Sequence, residues 1–295
     1  MNGVFITGTD TGVGKTIVSA ALLCALKSAG VDAVYMKPVQ TGCQRRGKKL
    51  IAPDLELVYS LAGIRPSEKE RELMAPYRYR RACSPHLAAA LEGQKIVISR
   101  VIKSFAALKR CHEFIIVEGA GGILTPLSQK SSMLDLMKAL ALPVIVVARP
   151  RLGTINHTLL TLRELRRAKL KITGVVINYA LKASKTFIEK DNRAMIEKLG
   201  RAPVIAELPY LAQVRPELLA KVFLCRLLTH PPLSPGRSAS AKPGRVPLQG
   251  GEHNLLSFNS FRQRRICLWH ESSPPAEGWP RAGVGSGLTF ANDST

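Results

Sequence analysis

The stretch "FITGTDTGVGKT", residues 5–16, decides how the chain is read. It looks like a strand that runs into a glycine-rich turn and stops at Gly-Lys-Thr. The pattern G-x-x-x-x-G-K-[ST] describes a loop whose backbone N–H groups surround phosphate oxygens, with the lysine on the β and γ phosphates and the hydroxyl on Mg2+. Gly14, Lys15 and Thr16 supply its second half. The first half departs from it, because counting back from Gly14 puts Thr9 where glycine is wanted and Gly8 one residue earlier. Gly8, Gly12 and Gly14 still let the backbone approach an anion closely, and a helix beginning near Lys15 points its positive end at the phosphates. A nucleoside triphosphate is the expected ligand.

Working outward from that loop, apolar runs recur between helix-like stretches, at residues 3–8, 32–39, 114–119, 143–148 and 172–179. Near-continuous apolar strands are what a parallel sheet covered on both faces requires. Between them, residues 15–30 have apolar side chains at helical spacing and end on Gly30 as a natural C-cap. In residues 156–171 the leucines are expected on one side, with Arg163, Arg166, Arg167 and Lys169 facing water. This alternation predicts an α/β fold, a P-loop NTPase-like, doubly wound and mostly parallel sheet with helices on both faces and right-handed crossovers.

A chain of 295 residues with 46% hydrophobic content can bury a substantial core. Its net charge of +22 is compatible with a nucleic acid, an anionic membrane surface or small anionic substrates. From Cys225 onward there are eight Lys or Arg against four Asp or Glu, so most of the basicity belongs to the preceding residues. After about Leu224 the chain becomes dense in Pro, Gly and Ser, with eight of its nineteen prolines beyond Cys225. Such composition cannot offset chain entropy by burial. The expected division is therefore an ATP-binding domain over 1–224 and a disordered or loosely attached basic tail over 225–295. The six cysteines show neither zinc-finger nor disulfide-framework spacing. With no signal-peptide pattern and no apolar run approaching about 18 residues, a soluble, cytoplasmic protein is expected.

Two further stretches, "MKPVQTG" (36–42) and "VEGAGG" (117–122), follow strands, where ligands collect in open α/β sheets. Lys37 either solvates a loop or, beside a second lysine and a polyphosphate, stabilises transition-state charge. Glu118 either caps a helix or, with Thr16 and with Asp54 as a second carboxylate, holds Mg2+, which takes one or two carboxylates together with phosphate oxygens.

With "GTDTGVGKT", "KPVQTG", "SPHLAA", "VEGAGG", "LGTINH" and "VVINY" in that order, residues 3–217 resemble the dethiobiotin synthetase family. The resemblance implies an ATP- and Mg2+-dependent ligase of biotin synthesis that closes a ureido ring on 7,8-diaminononanoate with CO2. It also implies a homodimer with active sites near the subunit interface, and no nucleic-acid or membrane partner. By the same resemblance Gly12, Val13, Gly14, Lys15, Thr16 and Ile17 contact phosphate, Thr16, Asp54 and Glu118 hold Mg2+, and Lys37 acts in catalysis beside Lys15. Glu118, Gly119, Ala120 and Gly121 line the nucleotide site, Asn178 and Tyr179 meet adenine, and Pro209, Tyr210, Leu211 and Glu217 approach the base. Thr11, Thr41 and Asn156 meet the substrate, Asn156 from a helix start that receives the substrate carboxylate across the interface. Read without the resemblance, Asn156 is only an N-cap.

Two other readings compete. A regulatory P-loop ATPase of the partitioning or metallochaperone type shares this fold, although such proteins commonly carry an extra lysine early in the loop, and Thr9, Asp10 and Thr11 lack one. A nucleic-acid-binding protein would explain the charge, but 5% aromatic content offers few stacking platforms. His86 and His157 are expected to be structural or substrate-positioning groups, and no general base is assigned.

Overall fold

The computed structural model describes residues 3–47, 49–180 and 187–229, all within the unit spanning Met1–Arg237. The expected tail over 225–295 thus lies outside the described residues, apart from the backbone at the end of the last helix.

In chain order the elements are β1 (Gly3–Gly8), α1 (Lys15–Ser28), β2 (Ala33–Met36), β3 (Val39–Gln40), β4 (Gln44–Arg46), β5 (Lys49–Ile51), α2 (Pro53–Ala62), α3 (Glu68–Met74), β6 (Tyr77–Arg78) and α4 (Pro85–Leu91). There follow α5 (Ile98–Cys111), β7 (Phe114–Gly122), α6 (Met133–Leu140), β8 (Val144–Ala148), α7 (Thr154–Arg167), β9 (Ile172–Asn178), α8 (Phe187–Gly200), β10 (Val204–Leu208) and α9 (Pro216–Thr229). Six strands form one parallel sheet in the order β10-β9-β8-β1-β7-β2. Every residue of β1 and β8 is buried, as expected of strands covered on both faces. From β1 the chain moves to β2 on one side, returns through β7, and crosses to β8 on the other. Ligand crevices form where strand order reverses in this way, at the carboxyl ends of the strands. The phosphate loop sits at that end of β1.

The expected strand over 32–39 divides. Pro38 has no N–H to give a ladder, and after β2 the chain leaves the main sheet so that β3 pairs in parallel with β6. β7 runs on to Gly122, three residues past its expected end, with a register shift against β1 between Ile6 and Gly8. The sixth strand, β10, is one the apolar pattern did not announce, because three of its five residues are only half-buried at the sheet edge. α1 ends two residues before Gly30: its C-cap is Ala29, and Gly30, at φ 78, donates its N–H to the Lys27 carbonyl just past the cap.

α7 departs from its expected form in two ways. Its N-cap is Gly153, at φ 87, so Asn156 is the third helical residue and not a cap. Its buried face mixes Thr154, Thr158 and Thr161 with Leu162 and Leu165, while Leu160 is 57% exposed. The leucines therefore do not all fall on one side. Among the described residues no helix is long and apolar enough to cross a membrane.

Candidate active site

Gly14 is the N-cap of α1, at φ 94, a backbone conformation that an L side chain rarely adopts. The space is also taken: a Cβ there would meet Nδ2 of Asn178 at 1.9 Å. That Nδ2 donates to the Val13 carbonyl at 2.9 Å, so the end of β9 pins the loop from the side. Gly8 has a comparable reason, since a Cβ on it would stand 2.6 Å from Cγ2 of Val13. Gly8, and not Thr9, is therefore the glycine that the tight return of this loop requires, which accounts for the departure from the motif.

The loop tip is tied down by polar contacts. Thr9 donates its N–H to the Val147 carbonyl at 3.0 Å, and Thr11 donates its own to Oδ1 of Asp10 at 2.7 Å. Arg149, just past β8, donates from Nη2 to Oδ2 of Asp10 at 3.0 Å and to the Thr11 carbonyl at 2.7 Å. Lys15 folds back over the loop and donates to the Asp10 carbonyl at 2.9 Å. Burial first, and then repulsion from Lys37, lower its ammonium to about 8. The first turn of α1 holds no acidic residue to compete with an anion.

Beside the loop, β7 delivers Glu118 to the sheet interior, in register with Ile6. It is fully buried and is no helix cap. Four donors converge on it: Oε1 accepts from Lys37 Nζ at 2.6 Å and Thr16 Oγ1 at 2.9 Å, and Oε2 accepts from Tyr35 OH at 2.8 Å and from Ser19 Oγ at 2.9 Å, the single Ser19 hydrogen being shared with the Lys15 carbonyl at 2.9 Å. Lys37 also meets Oδ2 of Asp54, in the first turn of α2, at 2.9 Å. Burial works to lower the Lys37 pKa, but the carboxylates of Glu118 and Asp54 outweigh it and hold the ammonium above its ordinary value. Burial, reinforced by the Glu118 charge, pushes the Tyr35 phenol well up, so it stays a donor.

The structure brings together Thr16, Lys37, Asp54 and Glu118, all singled out in the sequence, and adds Ser19, Tyr35 and Arg149, which were not. A signal for two of them existed. Ser19 is three residues after Thr16 and shares its helix face, and Tyr35 is two before Lys37 and shares its side of an extended chain.

The donor set suits a hard cation. Lys37 shows that positive charge is stable between Glu118 and Asp54, and a hydroxyl with two carboxylates is the kind of partial oxygen shell that Mg2+ completes with phosphate and water. Among the described residues no group of three His, Cys, Asp or Glu forms a complete protein cage.

The remaining expected residues are not among the groups bonded to Glu118 among the described residues. Lys37 reaches the Gly119 carbonyl at 3.4 Å, Ala120 is half-buried, and Gly121 holds φ 65. Val13 is buried and Ile17 half-buried at the loop, while Gly12, at φ 70, has open space above it. Thr41 is half-buried just after β3, and Asn156 is exposed in the first turn of α7. The Tyr179 hydroxyl donates to Glu207 at 3.3 Å, toward β10. Pro209, Tyr210 and Leu211 form the start of the connection after β10, and Glu217 is exposed at the start of α9. His86 and His157 are not among the groups bonded to Glu118, Lys37 or the loop among the described residues.

A protein-family model described as an AAA domain matches residues 2–218. The chain is 37% identical over 229 residues to the ATP-dependent dethiobiotin synthetase BioD of Thermodesulfovibrio yellowstonii, covering 75% of this chain and 94% of that relative. The Clostridium kluyveri protein of the same name is 41% identical over 210 residues, covering 70% of this chain and 85% of the relative. That of Anaeromyxobacter dehalogenans is 42% identical over 215 residues, covering 71% and 91%. Among solved structures, the MinC:MinD cell division protein complex of Aquifex aeolicus matches with a TM-score of 0.51 and 14% identity, over 85% of this chain and 99% of that chain. At that identity the likeness concerns the fold alone. On the strength of these matches the chain belongs to the ATP-dependent dethiobiotin synthetase family.

Proposed function

We propose that this protein closes the ureido ring of dethiobiotin on 7,8-diaminononanoate, using CO2 and ATP. The observation that carries the reading is Lys37, buried between Glu118 and Asp54 beside Thr16 of the phosphate loop. One substrate amine takes up CO2 and loses a proton to give a carbamate, an anion whose oxygen must attack the γ-phosphate, another anion, forming a carbamic-phosphoric anhydride as the β–γ P–O bond breaks and ADP leaves. Repulsion between the two anions is the barrier. The ammonium groups of Lys15 and Lys37 neutralise charge on the transferring phosphoryl group, and the loop N–H groups fix its orientation. Thr16, Asp54 and Glu118 would hold Mg2+, which would supply further charge neutralisation on the phosphates. The second amine then attacks the carbonyl of the carbamic-phosphoric anhydride, closes the five-membered ring and expels phosphate.

In this reading Gly12 to Ile17 cradle the phosphates and Gly119 to Gly121 flank the nucleotide. Asn178, whose Nδ2 is engaged by Val13, offers its oxygen to the adenine amino group. Tyr179, Pro209 to Leu211 and Glu217 surround the base. Thr11 and Thr41 meet the diamine. A homodimer places Asn156 of one protomer at the substrate carboxylate of its partner, and Leu160, 57% exposed one helical turn after Asn156, with Leu152, 91% exposed just before the N-cap of α7, leave apolar surface for that contact. The reaction is read as cytoplasmic, with neither nucleic acid nor membrane as a partner, and the 225–295 tail is read as an appendage to the catalytic domain over 1–224.

Phosphate release from ATP, followed with diaminononanoate and bicarbonate and with each left out in turn, tests the proposal. Release should require both. Release that ignores the diamine overturns it in favour of a regulatory ATPase.

A further inference from the structure

The two oxygens of Glu118 are held by different kinds of partner. Oε1 is shared by Lys37 and Thr16, both of which have work to do on phosphate. Oε2 is held by Tyr35 at 2.8 Å and Ser19 at 2.9 Å, neither of which belongs to the phosphate loop. Tyr35 is itself fixed with care. Among the described residues β2 is the edge of the six-stranded sheet, and Tyr35 N–H and C=O have no strand partner on that side. The Tyr59 hydroxyl of α2 takes the place of one, accepting from Tyr35 N–H at 2.9 Å and donating to Tyr35 C=O at 2.9 Å. The two rings meet edge to face, with centroids 6.2 Å apart. The same helix carries Asp54, so the Tyr35–Tyr59 pair registers the strand leading to Lys37 against the helix that presents its second carboxylate.

We propose that Tyr35 is a positioning residue for phosphoryl transfer: its phenol, with the Ser19 hydroxyl, immobilises Oε2 of Glu118, so that Oε1 alone changes partners when Lys37 and Thr16 turn toward phosphate and cation. The inference rests on the reading of Glu118 and Thr16 as cation ligands. A carboxylate anchored at one oxygen presents the other in a single orientation, which is how outer hydrogen bonds tune the affinity of a metal site.

Tyr35→Phe removes one hydroxyl and keeps the ring. The test is Mn2+ affinity, read by electron paramagnetic resonance, of the protein bound to a non-hydrolysable ATP analogue. Tyr35→Phe and Ser19→Ala should each weaken Mn2+ binding roughly tenfold. Affinity for the analogue in metal-free buffer and KM for the diamine should hold, while kcat falls. Mn2+ affinity equal to that of the unaltered protein in both variants overturns the proposal, since a residue that only packs has no route to the cation. If Tyr35→Phe fails to fold by thermal melting, Ser19→Ala decides alone by the same criterion. If the unaltered complex holds Mn2+ no better than the free analogue does, the cation reading itself falls, and the inference with it.

Discussion

Asn178 and Gly14 are fitted to each other: the amide nitrogen of Asn178 lies 1.9 Å from where a Cβ on residue 14 would stand, and it donates to the neighbouring Val13 carbonyl at 2.9 Å. The shape of the phosphate loop is thereby set from outside the loop, by the last residue of β9.

Gly14→Ala should therefore fail for two reasons at once. The new Cβ displaces Asn178, leaving a buried carbonyl without its donor, and it forces an L side chain to φ 94. The combined cost is about 2–4 kcal/mol, measurable as a shift in the denaturant midpoint. Nucleotide affinity should fall with it. Unchanged stability would mean that Asn178 moves aside freely and does not shape the loop.

Lys37→Gln takes the charge from between Glu118 and Asp54. The turnover number should fall by about 10²–10³-fold, as when one transition-state donor is removed, with a smaller change in the KM for ATP. The variant also leaves two carboxylates facing each other without their ammonium. It should gain a Mg2+-dependent rise in melting temperature in the absence of nucleotide that exceeds any shown by the unaltered protein. A melting temperature indifferent to Mg2+ would argue against Asp54 and Glu118 sharing a cation.

These residues show what could be read in the chain and what could not. The central strands were legible because β1, β7, β8 and β9 each contain a run of consecutive apolar residues. β10 was not, because an edge strand with half-buried positions interrupts its own pattern. Lys37 and Glu118 stood out as charges following apolar strands, and Asp54 as a second carboxylate to join Glu118. Tyr35 did not, because a tyrosine in an apolar strand reads as one more core residue, and only the fold brings its hydroxyl to a carboxylate 83 residues away. Ser19 reads as a small helix residue for the same reason. Arg149 was hidden by its distance in sequence, 139 residues, from the Asp10 it holds.

Arg149 gives a sharper test of loop tethering than of stability. Its ion pair with Asp10 is half-exposed, so Arg149→Ala should change stability by less than about 1 kcal/mol. Yet it releases the Asp10 and Thr11 corner against which Lys15 rests. A rise of roughly threefold to tenfold in the KM for ATP or diamine, partly restored by Arg149→Lys, is the expected kinetic signature of about 1 kcal/mol of lost positioning. Kinetics identical to those of the unaltered protein would reduce the contact to a surface ion pair.

Lys15 carries a pH signature whose sign can be worked out. Its pKa is lowered from 10.5 to about 8 by burial and by Lys37, so its charged form is penalised in the free protein. That penalty is fully present below pH 8 and is relieved as pH rises toward 10.5, so this group's contribution to folding stability increases across the window. Nucleotide works the other way, since a polyphosphate beside the ammonium raises its pKa in the complex. Binding should then take up a proton above pH 8, and affinity, level below that value, should decline as pH rises through it. Calorimetry at pH about 9 in two buffers of different ionisation enthalpy should give different heats, and the difference should vanish in Lys15→Met. Buffer-independent heats in the unaltered protein would mean that Lys15 is already charged at that pH, and the crowding of ammonium groups at the loop would lose its consequence.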